Sequence, residues 1–239
     1  MLNWQQWVTV GMTLACMMVG IPTQAQISTD GTVGPAAQPL EGPNYKIGDN
    51  LGQRLEGNLF HSFQDFNLNS GQTATFTAPE SLTIQNVISR VTGGNPSNID
   101  GAIISDISGA DFYFLNPFGI VFGKNASLDV QGSFHASTAD YLRLGNGGIF
   151  HARNPSESLL TVAPIESFGF LGNSVASITI QGSHLEMDEH ETLSVIGGDL
   201  EITDSTLFSP GGKINLVSVA QAGEIVSTFP NNAVESFEN

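Results

Sequence analysis

Asp111-Phe112-Tyr113-Phe114-Leu115-Asn116-Pro117-Phe118-Gly119-Ile120-Val121-Phe122-Gly123-Lys124 is the stretch that decides the fold. Two apolar runs, Phe112 to Leu115 and Ile120 to Phe122, flank the tetrad Asn116-Pro117-Phe118-Gly119. Proline presets φ for the second position of a turn, and glycine suits the exit. Each run is short, aromatic or β-branched, so each reads as a strand. The unit is strand, tight turn, strand, with both strands expected to be buried.

Downstream the pattern becomes regular. Apolar-x-apolar pairs stand at Ile178/Ile180, Leu185/Met187, Leu193/Val195, Leu200/Ile202 and Ile214/Leu216, with Leu207 and Ser209 filling one slot. From Leu193 the pairs recur at 200, 207 and 214. A heptad coiled coil is excluded, because the partners are two apart and Gly197-Gly198 and Pro210-Gly211-Gly212 interrupt them. Two inward side chains per face and then a turn describe a β-solenoid. Three faces would close one coil in roughly 21 residues. The competing β-sandwich needs longer strands at wider spacing.

Upstream, residues 26–50 carry Gly31, Gly34, Pro35, Pro39, Gly42, Pro43 and Gly48, which forbid a helix and leave one short strand near Ile27. Phe60, Phe63 and Phe66 follow among helix-breaking Gly57, Asn67, Asn69 and Gly71, and are expected to plug the end of the β-structure. Further strands are expected over residues 81–91, 99–107, 127–130 and 141–144, with turns at Gly93-Gly94-Asn95-Pro96 and Gly145-Asn146-Gly147-Gly148.

The first residues read as an export signal. Residues 8–21 are an apolar run of about h-region length, too short for a comfortable membrane span. Thr23-Gln24-Ala25 supplies a small-x-small site, so cleavage is expected between Ala25 and Gln26. The single cysteine, Cys16, falls inside this segment, which leaves no thiol for a disulfide in residues 26–239. The sequence thus divides into a signal (1–25), a β-solenoid domain (26–229) and a short tail (230–239).

Seven Lys plus Arg stand singly against 23 Asp plus Glu, for a net charge of −16, which excludes a nucleic-acid partner. His61, His135, His151, His184 and His190 fit no familiar zinc spacing, and the Glu186, Asp188, Glu189 and Glu191 around the last two read as a solvated acidic turn. No Gly-x-Ser-x-Gly is present, and the Gly145 turn has no helix pattern after it to cradle a phosphate. No cofactor is expected. Asn125-Ala126-Ser127 is a formal glycosylation acceptor only.

Around Asn116-Pro117-Phe118-Gly119-Ile120 the chain resembles the amino-terminal secretion domain of the filamentous haemagglutinin family, the exoproteins of two-partner secretion. The family motif reads Asn-Pro-Asn-Gly-Ile; Phe118 replaces its third residue. Asn58-Leu59-Phe60-His61-Ser62-Phe63, the run from Ser89 to Gly101, Ala136-Ser137-Thr138-Ala139-Asp140 and Phe168-Gly169-Phe170-Leu171 add to the likeness, closest to the cyanobacterial branch. The second family hallmark, Asn-Pro-Asn-Leu, is absent; Asn95-Pro96-Ser97-Asn98 is a distant echo of it.

The resemblance implies a right-handed parallel β-helix with an amino-terminal cap and an extra β-hairpin. It implies export through the periplasm to an outer-membrane barrel transporter whose periplasmic POTRA-type domains bind this region. It makes Asn116, Pro117, Gly119 and Ile120 a secretion and folding motif, and points to an adhesive, haemagglutinin-like role at the cell surface toward a carbohydrate or protein of a host or other surface. A different function class, a carbohydrate-active β-helix enzyme (polysaccharide lyase or hydrolase), would draw on Asp106 and Asp111, with no basic residue at matching spacing.

Overall fold

The computed structural model describes residues 26–227. The expected signal segment (1–25), with Ala25 at its cleavage site, and the whole of the expected tail (230–239) lie outside the described residues.

Three parallel sheets run along one axis. The first face orders Ile27–Thr29, Asn58–Phe66, Asn86–Val91, Asp111–Leu115, Phe134–Ser137, Thr192–Gly197 and Lys213–Ser218. From Asn58–Phe66 onward every neighbour in it is parallel. The second face stacks Ser97–Ile99, Ile120–Phe122, Ile178–Gln181 and Leu200–Thr203. The third stacks Asn44–Gly48, Thr73–Thr77, Ala102–Ser105 and Ser127–Val130, with His184–Glu186 and Thr206–Phe208 beyond them. Parallel strands need a crossover; here each crossover is made of the other two faces. The result is a three-faced β-solenoid. Among the described residues the only helical turns are Asp49–Leu51 and Pro155–Glu157, each a single 3₁₀ turn.

The coil shortens along the chain. Asn58 and Asn86, neighbours in the first face, are 28 residues apart, whereas Ser194 and Asn215 are 21 apart. The 21-residue expectation holds where it was read and not earlier, because the first coils have longer corners.

Register puts Leu59, Val87, Phe112, Phe134 and Leu193 in one inward column. The Phe112 ring lies 4.7 Å from Phe76 and 5.6 Å from Phe134, so the interior is an aromatic stack that bridges faces and coils. The outward column, Phe60, Ile88 and Tyr113, is buried as well, in a second apolar cluster. Its cover is an antiparallel sheet of Tyr141–Leu144, Gly148–His151, Ile165–Phe170 and Gly223–Val226. Most of that sheet is inserted between Phe134–Ser137 and Ile178–Gln181, so it interrupts one coil and lies outside the solenoid. It contains the expected hairpin, turned at Asn146 and Gly147 with φ of 60° and 77°. A first-face strand is therefore buried on both sides, which is why Phe112 to Leu115 is an unbroken apolar run rather than an alternating one.

Several boundaries differ from the sequence reading. Residues 99–107 are not one strand; Asp100-Gly101 is a corner between Ser97–Ile99 and Ala102–Ser105. The strand expected from residue 81 starts at Asn86, with Leu82 and Ile84 filling the corner before it. Phe63 and Phe66 do pack inside the first coil, but Phe60 points the other way, 5.1 Å from Phe150 of the outer sheet. The three share one nine-residue strand, so the i, i+3, i+6 spacing is neither a helix stripe nor a single plug. The late pairs point inward as expected, yet Ile202, Ile214 and Leu216 remain 38–48% exposed, because among the described residues nothing stacks on them.

Candidate functional site

The Asn116-to-Gly119 corner joins the first face to the second. Its flanking strands do not pair with each other; each pairs with the same face of the coils before and after. Asn116 is fully buried and every polar atom is used. Its backbone N–H donates to the Ser137 carbonyl at 2.9 Å, and its carbonyl accepts from Gly119 N–H at 3.1 Å. Its Oδ1 accepts from Phe118 N–H at 2.9 Å, and its Nδ2 donates to the Asn95 carbonyl at 3.0 Å and to Ser97 Oγ at 2.9 Å. The side chain thus closes its own turn and clamps it to the preceding coil. An aspartate could do the first and not the second, since only the amide supplies donors.

Pro117 is buried and holds the turn's second position. Gly119 has φ of +121°, a conformation that side-chain-bearing residues resist. The space beside it would accept a Cβ, whose nearest neighbours stand at 3.5 Å, so conformation rather than crowding selects glycine. Ile120 is fully buried and pairs with Ser97 on one side and Ile178 on the other. These four residues come together as one corner. Asn95-Pro96-Ser97, the weak echo, lies directly beneath it: Pro96 approaches Gly119, and Ser97 N–H donates to the Gly119 carbonyl at 3.0 Å.

Phe118 is the one partly open side chain of the corner. The Arg153 guanidinium lies 5.0 Å from its ring centroid, and Arg153 Nη2 donates to the Pro117 carbonyl at 3.0 Å. Asp140 holds Arg153 through an ion pair and accepts from Leu171 N–H at 2.7 Å. The corner, the hairpin and the end of Ile165–Phe170 are thereby tied together. Arg153 and Asp140 were not singled out as site residues; Asp140 and Leu171 end two of the stretches that carried the family likeness, which was the available signal.

The other candidates do not converge. Asp111 accepts from Ser133 N–H at 2.9 Å, and Ser133 Oγ donates to Glu191 at 2.8 Å. Burial, with the Glu191 charge adding to it, pushes the Asp111 carboxyl above its usual range. Asp106 lines a separate recess with Ile84, Ile107 and Gln131. His184 and His190 are exposed and meet Glu186 at 3.1 Å and Glu189 at 3.5 Å. Among the described residues no three His, Cys, Asp or Glu are grouped as a metal site would require. His61 and His135 are core residues whose protonation is disfavoured by burial, down to about 3 and about 4. The Gly145 turn is the hairpin tip, and Asn125 is bonded to Asp100 in a corner.

A family model described as the TPS secretion domain matches residues 25–235. No curated protein matches the chain.

Proposed function

Because the chain belongs to the TPS secretion domain family, and is thus a secreted two-partner-secretion substrate with an outer-membrane transporter as its partner, we propose that its described domain serves as both address and folding nucleus. Periplasmic POTRA-type domains of the transporter bind the chain before its coils close. Asn116, Pro117, Gly119 and Ile120 then act by building the corner that locks three successive coils. Outside the cell, coil-on-coil stacking hinders return through the pore.

One observation supports this reading above others. Asn116 spends its whole hydrogen-bonding capacity on corner backbone and on Ser97. Once folded, the motif offers a partner little more than one face of Phe118, so a transporter that reads Asn116 itself meets it unfolded. The domain further serves a downstream adhesive, haemagglutinin-like role at the cell surface, toward a carbohydrate or protein ligand.

Pulse-labelling of cells that make the chain with its transporter tests the order of events. The expected result is a protease-sensitive periplasmic form followed by a resistant external one. Asn116→Ala is expected to lower the yield of the resistant form. A fully folded, protease-resistant form in the periplasm, with normal secretion, sinks the proposal.

A further inference from the structure

Arg90 is the largest fully buried side chain of the described residues, and it faces outward from the first face, between solenoid and outer sheet. Its donors go to three separate segments. Nε donates to Ser62 Oγ of the first coil at 2.8 Å. Nη2 donates at 2.9 Å to Thr32 Oγ1 of the amino-terminal cap, the segment 27–40 in which Ile27–Thr29 pairs with Asn58–Phe66 and Leu40 N–H returns to the Ile27 carbonyl. Nη1 donates to the His151 carbonyl and to Ser158 Oγ of the outer sheet's hairpin region, both at 2.7 Å. The guanidinium also lies 4.2 Å from the Phe150 ring centroid.

Its counter-charge is Asp30, which reaches it through hydroxyls. Ser62 Oγ donates to Asp30 Oδ2 at 2.7 Å, and Thr32 Oγ1 lies 2.8 Å from Asp30 Oδ1. Thr92 Oγ1 donates to the same carboxylate at 2.7 Å. Val33 of the cap joins the apolar cluster that holds Phe150 and Leu142. A buried charge is tolerated only when its partners are all in place. Removing any one of the three segments therefore strips donors' partners from a guanidinium that water does not reach.

We propose that Arg90 is a joint that couples the amino-terminal cap to the outer antiparallel sheet, so that each is firmly docked only while the other is in place. The cap pairs with the first-coil strand Asn58–Phe66 and the sheet covers the first face, yet neither segment alone satisfies the guanidinium. The first coils consequently stay unlocked until the chain as far as Ser158 is available. Coupling of this kind is reciprocal.

Amide hydrogen exchange on the secreted chain tests it, with Thr32→Val and Ser158→Ala made singly. Both positions are at or near the surface, so both variants are expected to fold. Thr32→Val, in the cap, should speed exchange at Ile149, Ala152 and Leu159 roughly tenfold, through the loss of its charge-assisted hydrogen bond with Arg90. Ser158→Ala, in the hairpin region, should do the same at Thr29 and Leu40. Amides of Thr192–Gly197 should be unchanged. In an Arg90→Met background, Thr32→Val should add nothing at Ile149. The proposal is overturned by effects confined to the mutated segment, by equal loosening of Thr192–Gly197, or by a remote effect that persists without Arg90. If Arg90→Met does not fold, the two hydroxyl variants decide the matter alone.

Discussion

Asn116 Nδ2 donates to Ser97 Oγ at 2.9 Å, and the two residues belong to successive coils, so a turn-forming side chain also sets the stacking of one coil on another. Asn116→Ala leaves the Asn95 carbonyl and the Ser97 hydroxyl without that donor in a buried corner. The expected cost is about 2–3 kcal/mol. Asn116→Asp should cost more, since it places an acceptor against the Asn95 carbonyl and a buried charge beside it. Urea unfolding of the three proteins checks the order; an alanine variant within about 0.5 kcal/mol of the parent contradicts the clamp.

Phe118 stands where the family motif has asparagine. Phe118→Asn keeps a good turn residue and removes the Arg153–ring contact. Its cost should not exceed about 1 kcal/mol, because Arg153 is partly exposed. Combined with Arg153→Ala, it should add almost nothing to the loss from Arg153→Ala alone. A double-mutant cycle by thermal unfolding tests this, and full additivity would rule out the pairing.

His61 packs edge-on against Phe76 inside the first coil, and His135 stacks on Tyr113 beneath the outer sheet. Burial pulls their protonation down to about 3 and about 4 in the folded chain, against an ordinary 6.5. The unfolded chain therefore takes up protons first as pH falls. Stability is full above about pH 6.5 and is lost toward pH 4, by about 2 kcal/mol per histidine between pH 7 and 5. His135→Phe should remove about half of this histidine-linked slope in stability measured across that window. An unchanged slope would mean that His135 stays solvated or paired.

Phe112 and Leu115 share a strand, but Phe112 lies in the solenoid interior and Leu115 under the outer sheet. Phe112→Ala should cost about 3–5 kcal/mol and weaken the whole solenoid. Leu115→Asp should instead loosen the outer sheet first, since it puts a charge into the interface between sheet and solenoid. Limited proteolysis distinguishes the two: early cleavage between residues 141 and 170 is expected for the second variant and not for the first.

Local chemistry explains how much was legible in the chain. Pro117, Gly119 and the paired late apolar residues are short-range signals, because turn geometry and strand period depend on neighbours within a few positions. They were enough for strands, corners and coil length at the carboxyl side. Phe60, Phe63 and Phe66 were harder, since both sides of their strand are buried and periodicity then carries no information about direction. The roles of Arg153 and Arg90 were not legible: each is a single charge with a partner far along the chain, 36 residues for Pro117 and 68 for Ser158.

By itself, then, the sequence determined that this protein winds as short strands between tight turns, and that Asn116 to Gly119 makes one of the corners, because those choices are local in energy. Only the tertiary structure decided that an antiparallel sheet lies over the first face, that Asn116 is sealed between coils, and that one buried guanidinium joins cap, coil and hairpin. Those outcomes depend on which distant segments come to share a dry interface, and a charge or an amide there is stable only when the assembled fold supplies its partners.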